Sequence, residues 1–151
     1  MRAAFVVGFV VAAILLAGTA TVGASDEMPW VFNAPRAEGY SIDLISIDPA
    51  PATPLVAGTK IDFKVSVKYY LTAAKEGAVV LVFQDEKNRS AKPDGEQVAE
   101  SVVAPEGTLT LSDSITIPRR ARELRLFIPL VPQGMSETTG EITVRWPISK
   151  K

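Results

Sequence analysis

The chain has 151 residues, with 16 Lys and Arg against 17 Asp and Glu for a formal net charge of −1, and it contains neither His nor Cys. Without imidazole there is no Ser-His-Asp or Cys-His nucleophile, no HExxH zinc site and no proton shuttle near neutral pH. Without thiols there is no thiolate chemistry, no thiolate zinc site and no disulfide, so a single domain of this length must be stabilised by core packing alone.

In chain order, Arg2 is the only charge in the first 24 residues and precedes an apolar run from 3 to 17. A short positive region followed by such a run is the order of an export signal. Val22 and Ala24 supply the small residues that signal peptidase selects, which places cleavage after Ala24. The competing reading is an uncleaved membrane anchor, since roughly 20 apolar residues span a bilayer. In either case the remainder is expected outside the cytoplasm, periplasmic or extracellular, because Arg2 holds the inner side. Leu16, Ala17 and Gly18 look like a lipoprotein box, but Thr19 stands where the lipid-bearing Cys must be. Removing Arg2 with this segment turns the net charge from −1 to −2, too weak a field for a nucleic-acid binder.

From 25 to 39, Pro29, Asn33 and Pro35 suggest an extended leader or edge strand. Tyr40, Ile42 and Leu44 share one parity and Ile45 and Ile47 the other, which predicts a strand carrying a bulge. Pro49, Pro51 and Pro54 then break it. The clearest strand covers 60–70, where Ile61, Phe63, Val65, Val67 and Tyr69 alternate with Asp62, Lys64, Ser66 and Lys68. A continuous apolar run over 78–83 reads as a strand entering a polar loop, and 98–103 as a shorter one. Leu109, Leu111, Ile115 and Ile117 share a parity that Asp113 violates, which predicts a second bulge. Leu124, Leu126, Ile128 and Leu130 form another strand, which Pro129 marks as an edge or irregular one. Ile142, Val144, Trp146 and Ile148 make the last, with Trp146 and Tyr69 on the apolar parity of their strands.

About seven strands with regular turn signals and no helical period predict an all-β fold. The expected fold is an immunoglobulin-like antiparallel β-sandwich over 40–151, preceded by a signal peptide over 1–24. The missing inter-sheet disulfide makes the fibronectin type III-like variant the better comparison. Residues Ser41, Ile42, Asp43, Leu44, Ile45, Ser46, Ile47, Asp48 and Pro49, the proline-rich gap, the stretch from Val56 through Gly58 and Phe63 to Lys68, and the later strand from Gly77 to Asp85 resemble a bacterial cell-adhesion-related domain of the CARDB type. The resemblance spans 41–131. It implies an extracytoplasmic interaction or spacer module without catalytic residues.

Carboxylates are the only general acids or bases left, and no spacing singles out a pair such as a glycosidase needs. The loop residues Asp85, Glu86, Asp94 and Glu96 are the best candidates, but Lys87 and Arg89 fall where a Ca²⁺ loop would want oxygen ligands. No metal, cofactor or catalytic residue is therefore expected. Arg119, Arg120, Arg122 and Arg125 place four guanidiniums within seven residues, a possible contact for an anionic polymer or acidic partner, or a solvated face. Tyr70 and Trp30 are the candidate ring platform. Asn88, Arg89 and Ser90 match a glycosylation acceptor. The sequence thus points to a non-catalytic exported module with a protein partner in the cell envelope. The alternative is a binder of carbohydrate or an anionic envelope polymer.

Overall fold

The computed structural model describes residues 29–34, 36–135 and 140–150, so the expected export segment lies outside the described residues. These residues form nine strands and no helix: β1 (Val31–Asn33), β2 (Tyr40–Asp48), β3 (Leu55–Val56), β4 (Lys60–Leu71), β5 (Glu76–Asp85), β6 (Val98–Val103), β7 (Glu106–Thr116), β8 (Glu123–Pro132) and β9 (Glu141–Ser149). The seven long strands are the seven that alternation predicts. The two additional ones, β1 and β3, have three and two residues.

Two sheets face each other. The smaller runs β2-β4-β7 and the larger β1-β9-β8-β5-β6, with β3 pairing separately with β9. Only the β3–β9 pairing is parallel. This is an immunoglobulin-like β-sandwich, and it departs from the constant-type strand order because β6 joins β5 instead of extending the sheet of β7. The leader takes part as well, since β1 lies antiparallel along β9 as an edge strand.

Alternation fixes the core. Phe63, Val65 and Val67 of β4 and Leu111 and Ile115 of β7 bury their side chains against Leu81, Phe83, Leu126, Ile128 and Val144 of the facing sheet. Trp146 is fully buried, meeting the Phe63 ring edge-on at 5.2 Å. Its Nε1–H donates to the carbonyls of Ala50 at 2.9 Å and Pro49 at 3.2 Å, so the indole ties the proline-rich gap to the core. Gly107 is required where it stands: Tyr69 packs over it so closely that a Cβ there would lie 2.7 Å from the phenolic oxygen. That hydroxyl donates to the Val103 carbonyl at 3.0 Å, joining β4 to β6 across the sandwich.

The parity switch in β2 is a bulge, with the register to β4 shifting between Leu44 and Ser46 and Ile45 left exposed. One expectation needs correction. Asp113 marks no bulge, because the β4–β7 register is unbroken from Lys60↔Thr116 to Tyr70↔Glu106. Instead Asp113 stands opposite Phe63 on the inner parity, and Lys92 reaches it from the β5–β6 loop at 3.0 and 3.2 Å. A charge can occupy an inward position when its counter-charge arrives with it. Of the two alternatives that Pro129 left for β8, the edge strand is excluded, since β8 lies between β5 and β9, and the irregular strand is the one observed. The Leu130 N–H bonds the Gly140 carbonyl, so the nitrogen of Pro129 faces β5. There the pairing skips from Val79↔Leu130 to Val82↔Phe127, which is how an inner strand accommodates the missing donor.

Candidate functional site

The two outer faces of the sandwich differ in kind. On the smaller sheet, Asp62, Lys64, Ser66 and Lys68 of β4 lie beside Thr108, Thr110, Ser112 and Ser114 of β7, giving a wet face. On the larger sheet, one register row runs Phe32, Thr143, Phe127 and Val82 across β1, β9, β8 and β5. Val80 with Ala99, and Ala78 with Val131, extend that outer parity. The runs 78–83 and 126–131 therefore carry apolar side chains on both faces, a pattern characteristic of strands covered on both sides. Phe32 remains 41% exposed at one corner. At the other, exposed Met135 lines a concavity of about 340 Å³ with Ala78, Ser101, Val131 and Pro132.

A charged row closes one end of this apolar face. Arg125 and Arg145 are register partners, and Glu123 bridges them, accepting from Arg125 Nε at 2.6 Å and from Arg145 Nη2. The Arg145 guanidinium lies over the Trp30 ring, 5.4 Å from its centroid, and the Arg145 N–H bonds the Trp30 carbonyl at 2.9 Å. Burial pushes the Glu123 carboxyl up, but the hydrogen bonds and charges of Arg145 and Arg125 outweigh it and hold the group below its ordinary value.

Tyr70 stands on the opposite side of the molecule. It is 45% exposed on the outer face of the smaller sheet, in a row Ser41, Tyr70 and Glu106 across β2, β4 and β7. With Arg36, Asp43 and Lys68 these residues line a concavity of about 350 Å³. Arg36 pairs with Asp43 at 3.3 Å. Trp30 is 42% exposed but belongs to the larger sheet, so the two candidate rings do not form one platform.

The arginine segment divides. Arg119, Arg120 and Arg122 lie exposed in the turn between β7 and β8, anchored by buried Ala121. Among the described residues their guanidiniums make no ion pair. Glu86 holds this turn, accepting the Arg122 N–H at 3.0 Å, while the Ile148 N–H bonds the Arg122 carbonyl. Arg125 is instead committed to Glu123 on the sheet face. The loop carboxylates are also organisers of backbone. Buried Asp85 accepts the N–H groups of Lys87 at 2.8 Å and Arg89 at 3.0 Å, and its other oxygen takes Arg89 Nε at 2.7 Å. Asp94 accepts the N–H of Glu96 in a local turn. Among the described residues no three acidic side chains converge on one point. Asn88 is exposed within the turn that Asp85 closes, at a φ of 60° that Asn tolerates.

Asp85 and Glu86 share the direction of Glu123. Burial raises each carboxyl, and the N–H groups and guanidinium around Asp85, and the N–H groups around Glu86, lower it further than burial raises it. A depressed carboxyl contributes stability that is complete above the unfolded value near 4 and is lost as pH falls through the lower folded value. Urea midpoints are therefore expected to hold from pH 7 to 5 and to fall below about pH 4. Glu123→Gln should flatten that fall, and equal slopes for variant and wild type would contradict the assignment.

Compared with known protein families and with curated proteins, the chain matches no family model and no curated sequence.

Proposed function

We propose that this chain is an exported, non-catalytic β-sandwich module that binds a protein partner in the cell envelope, in an adhesion or accessory role. The observation that carries the reading is the apolar outer face of the larger sheet around Phe127, Val82 and Val80, set against the polar outer face of the smaller one. These three side chains are half-buried, and with exposed Phe32 and Met135 at the corners they form apolar surface rimmed by polar residues, as protein contact surfaces do. The charged row of Arg125, Glu123 and Arg145 fits the polar rim of such a surface, because Glu123 binds both guanidiniums and the row keeps one net positive charge. The export segment and the lack of His and Cys support the extracytoplasmic, non-catalytic part of the proposal. So does the resemblance of residues 41–131 to cell-adhesion-related domains.

The test immobilises residues 25–151 and offers a solubilised envelope extract at two salt concentrations. A discrete protein retained at both salts by the wild type, and lost with Val82→Lys and Phe127→Lys at an unchanged urea midpoint, is the expected result. Capture that is indifferent to both substitutions would sink the proposal.

A second reading has its own observation. The Tyr70 concavity and the unpaired Arg119, Arg120 and Arg122 suit a carbohydrate or an anionic envelope polymer. On that reading the retained material is polymer, released at high salt and weakened severalfold when the three arginines become Ser.

A further inference from the structure

An open sheet edge presents a row of unpaired N–H and C=O groups, and folded proteins blunt such edges with short strands, bulges, prolines or inward-pointing charges. Three of the four edges here are short or interrupted, whereas the fourth, β7, carries only one inward charge, Asp113, which Lys92 neutralises. On the larger sheet, one side ends in the short strands β1 and β3. The other side ends in β6, which has six residues and sets Glu100 on the inner parity opposite Val79. On the smaller sheet, β2 is interrupted by its bulge.

The fourth edge, β7, has eleven residues, no Pro, no Lys and no register break. The direction of its open groups follows from its ends. The Leu71 N–H bonds the Pro105 carbonyl at 2.7 Å, and the Ile117 N–H bonds the Thr59 carbonyl at 2.8 Å. Odd-numbered residues therefore face β4, and the even-numbered ones from Glu106 to Thr116 aim their N–H and C=O groups at the open side. Among the described residues only the Ser114 N–H is covered, by Asp113 Oδ1 at 2.9 Å. Side chains also bridge the strand to β4, Ser66 with Thr110 at 2.8 Å and Asp62 with Ser114.

We infer that two copies of this chain pair their β7 strands antiparallel about a two-fold axis, joining two three-stranded sheets into one of six strands. A second copy fits because an antiparallel edge is complementary to itself: residue i opposes j and j opposes i. With the axis at Thr110, Thr108 opposes Ser112 of the other copy, and no like charges meet along the paired segment. The acidic Glu106 end of each strand is brought toward the end of the other that leads into Arg119 and Arg120, so the charges complement. This association is independent of the partner surface on the larger sheet.

A chain without native thiols makes the test direct. Thr110→Cys should form a disulfide-linked dimer on mild oxidation, since directly opposed Cα atoms lie about 5.5 Å apart. Thr108→Cys and Ser112→Cys should each form no disulfide-linked dimer alone and cross-link when mixed. Thr110→Pro removes an outward donor and the exposed hydroxyl contact with Ser66 but leaves the backbone ladder to β4 intact, so it should fold with an unchanged circular dichroism spectrum and sediment as a monomer. Val82→Lys should leave dimerisation unchanged. Cross-linking at position 110 no faster than at a Lys64→Cys control, or association that survives Thr110→Pro, would overturn the inference. Association abolished by Val82→Lys would place the second copy on the apolar face and overturn it as well.

Discussion

Trp146→Ala is expected to cost about 3 to 5 kcal/mol, a large part of the stability of a domain this size. The indole is fully buried, and its edge contact with Phe63 continues through Phe63 to Phe83 at 4.9 Å. Truncation leaves a cavity beside Phe63, and it orphans the Ala50 and Pro49 carbonyls that Nε1 now serves. Trp146→Phe separates the two contributions, because it keeps ring packing and removes the donor. A loss of about 1 to 2 kcal/mol is expected for it, with the 49–54 segment loosening first. Urea unfolding followed by circular dichroism measures both. A cost below about 1.5 kcal/mol for the alanine variant would mean that the sandwich closes over the gap.

The second large effect belongs to the pair formed by Lys92 and Asp113, whose side chains retain only 15% and 9% of their exposure. Removing either partner leaves a charge facing the core, so Lys92→Met or Asp113→Leu should each cost about 3 kcal/mol. The double change to Met and Leu should cost less than either single change, because nothing charged is then left unpaired. The coupling read from the four proteins should therefore be large, the loss in the double variant falling well below the sum of the two single losses. Additive losses would show that water reaches the pair, making it worth no more than a surface contact.

The same pair shows where sequence reading stops. Alternation located the seven long strands, the bulge in β2 and the burial of Trp146 and Tyr69, because a period of two reports directly which side of a strand meets the core. At Asp113 the rule failed, since its partner lies 21 residues earlier in a loop whose path no local pattern describes. Pro129 left an edge and an irregular inner strand undecided for a related reason: proline signals a missing donor without saying which neighbour loses it. The apolar face was present in the sequence as two continuous runs, yet only the adjacency of β5 and β8 turns them into one surface. The candidate contacts were legible as residue types and not as constellations. Tyr70 and Trp30 lie on opposite sheets, and Arg125 is parted from Arg119, Arg120 and Arg122 by its bond to Glu123.

The placement of the two tryptophans gives the molecule a built-in optical readout. Trp146 sits in the dry interior, whereas Trp30 lies half open beneath a guanidinium at the start of β1. A three-residue strand has few bonds to lose, so β1 should detach at a lower free energy than the sheets separate. Emission from Trp30 should then shift, and become accessible to acrylamide, at denaturant concentrations where Trp146 remains blue and shielded. Two spectral steps in one unfolding curve would thus report the lifting of the leader from β9 before the interior is wetted.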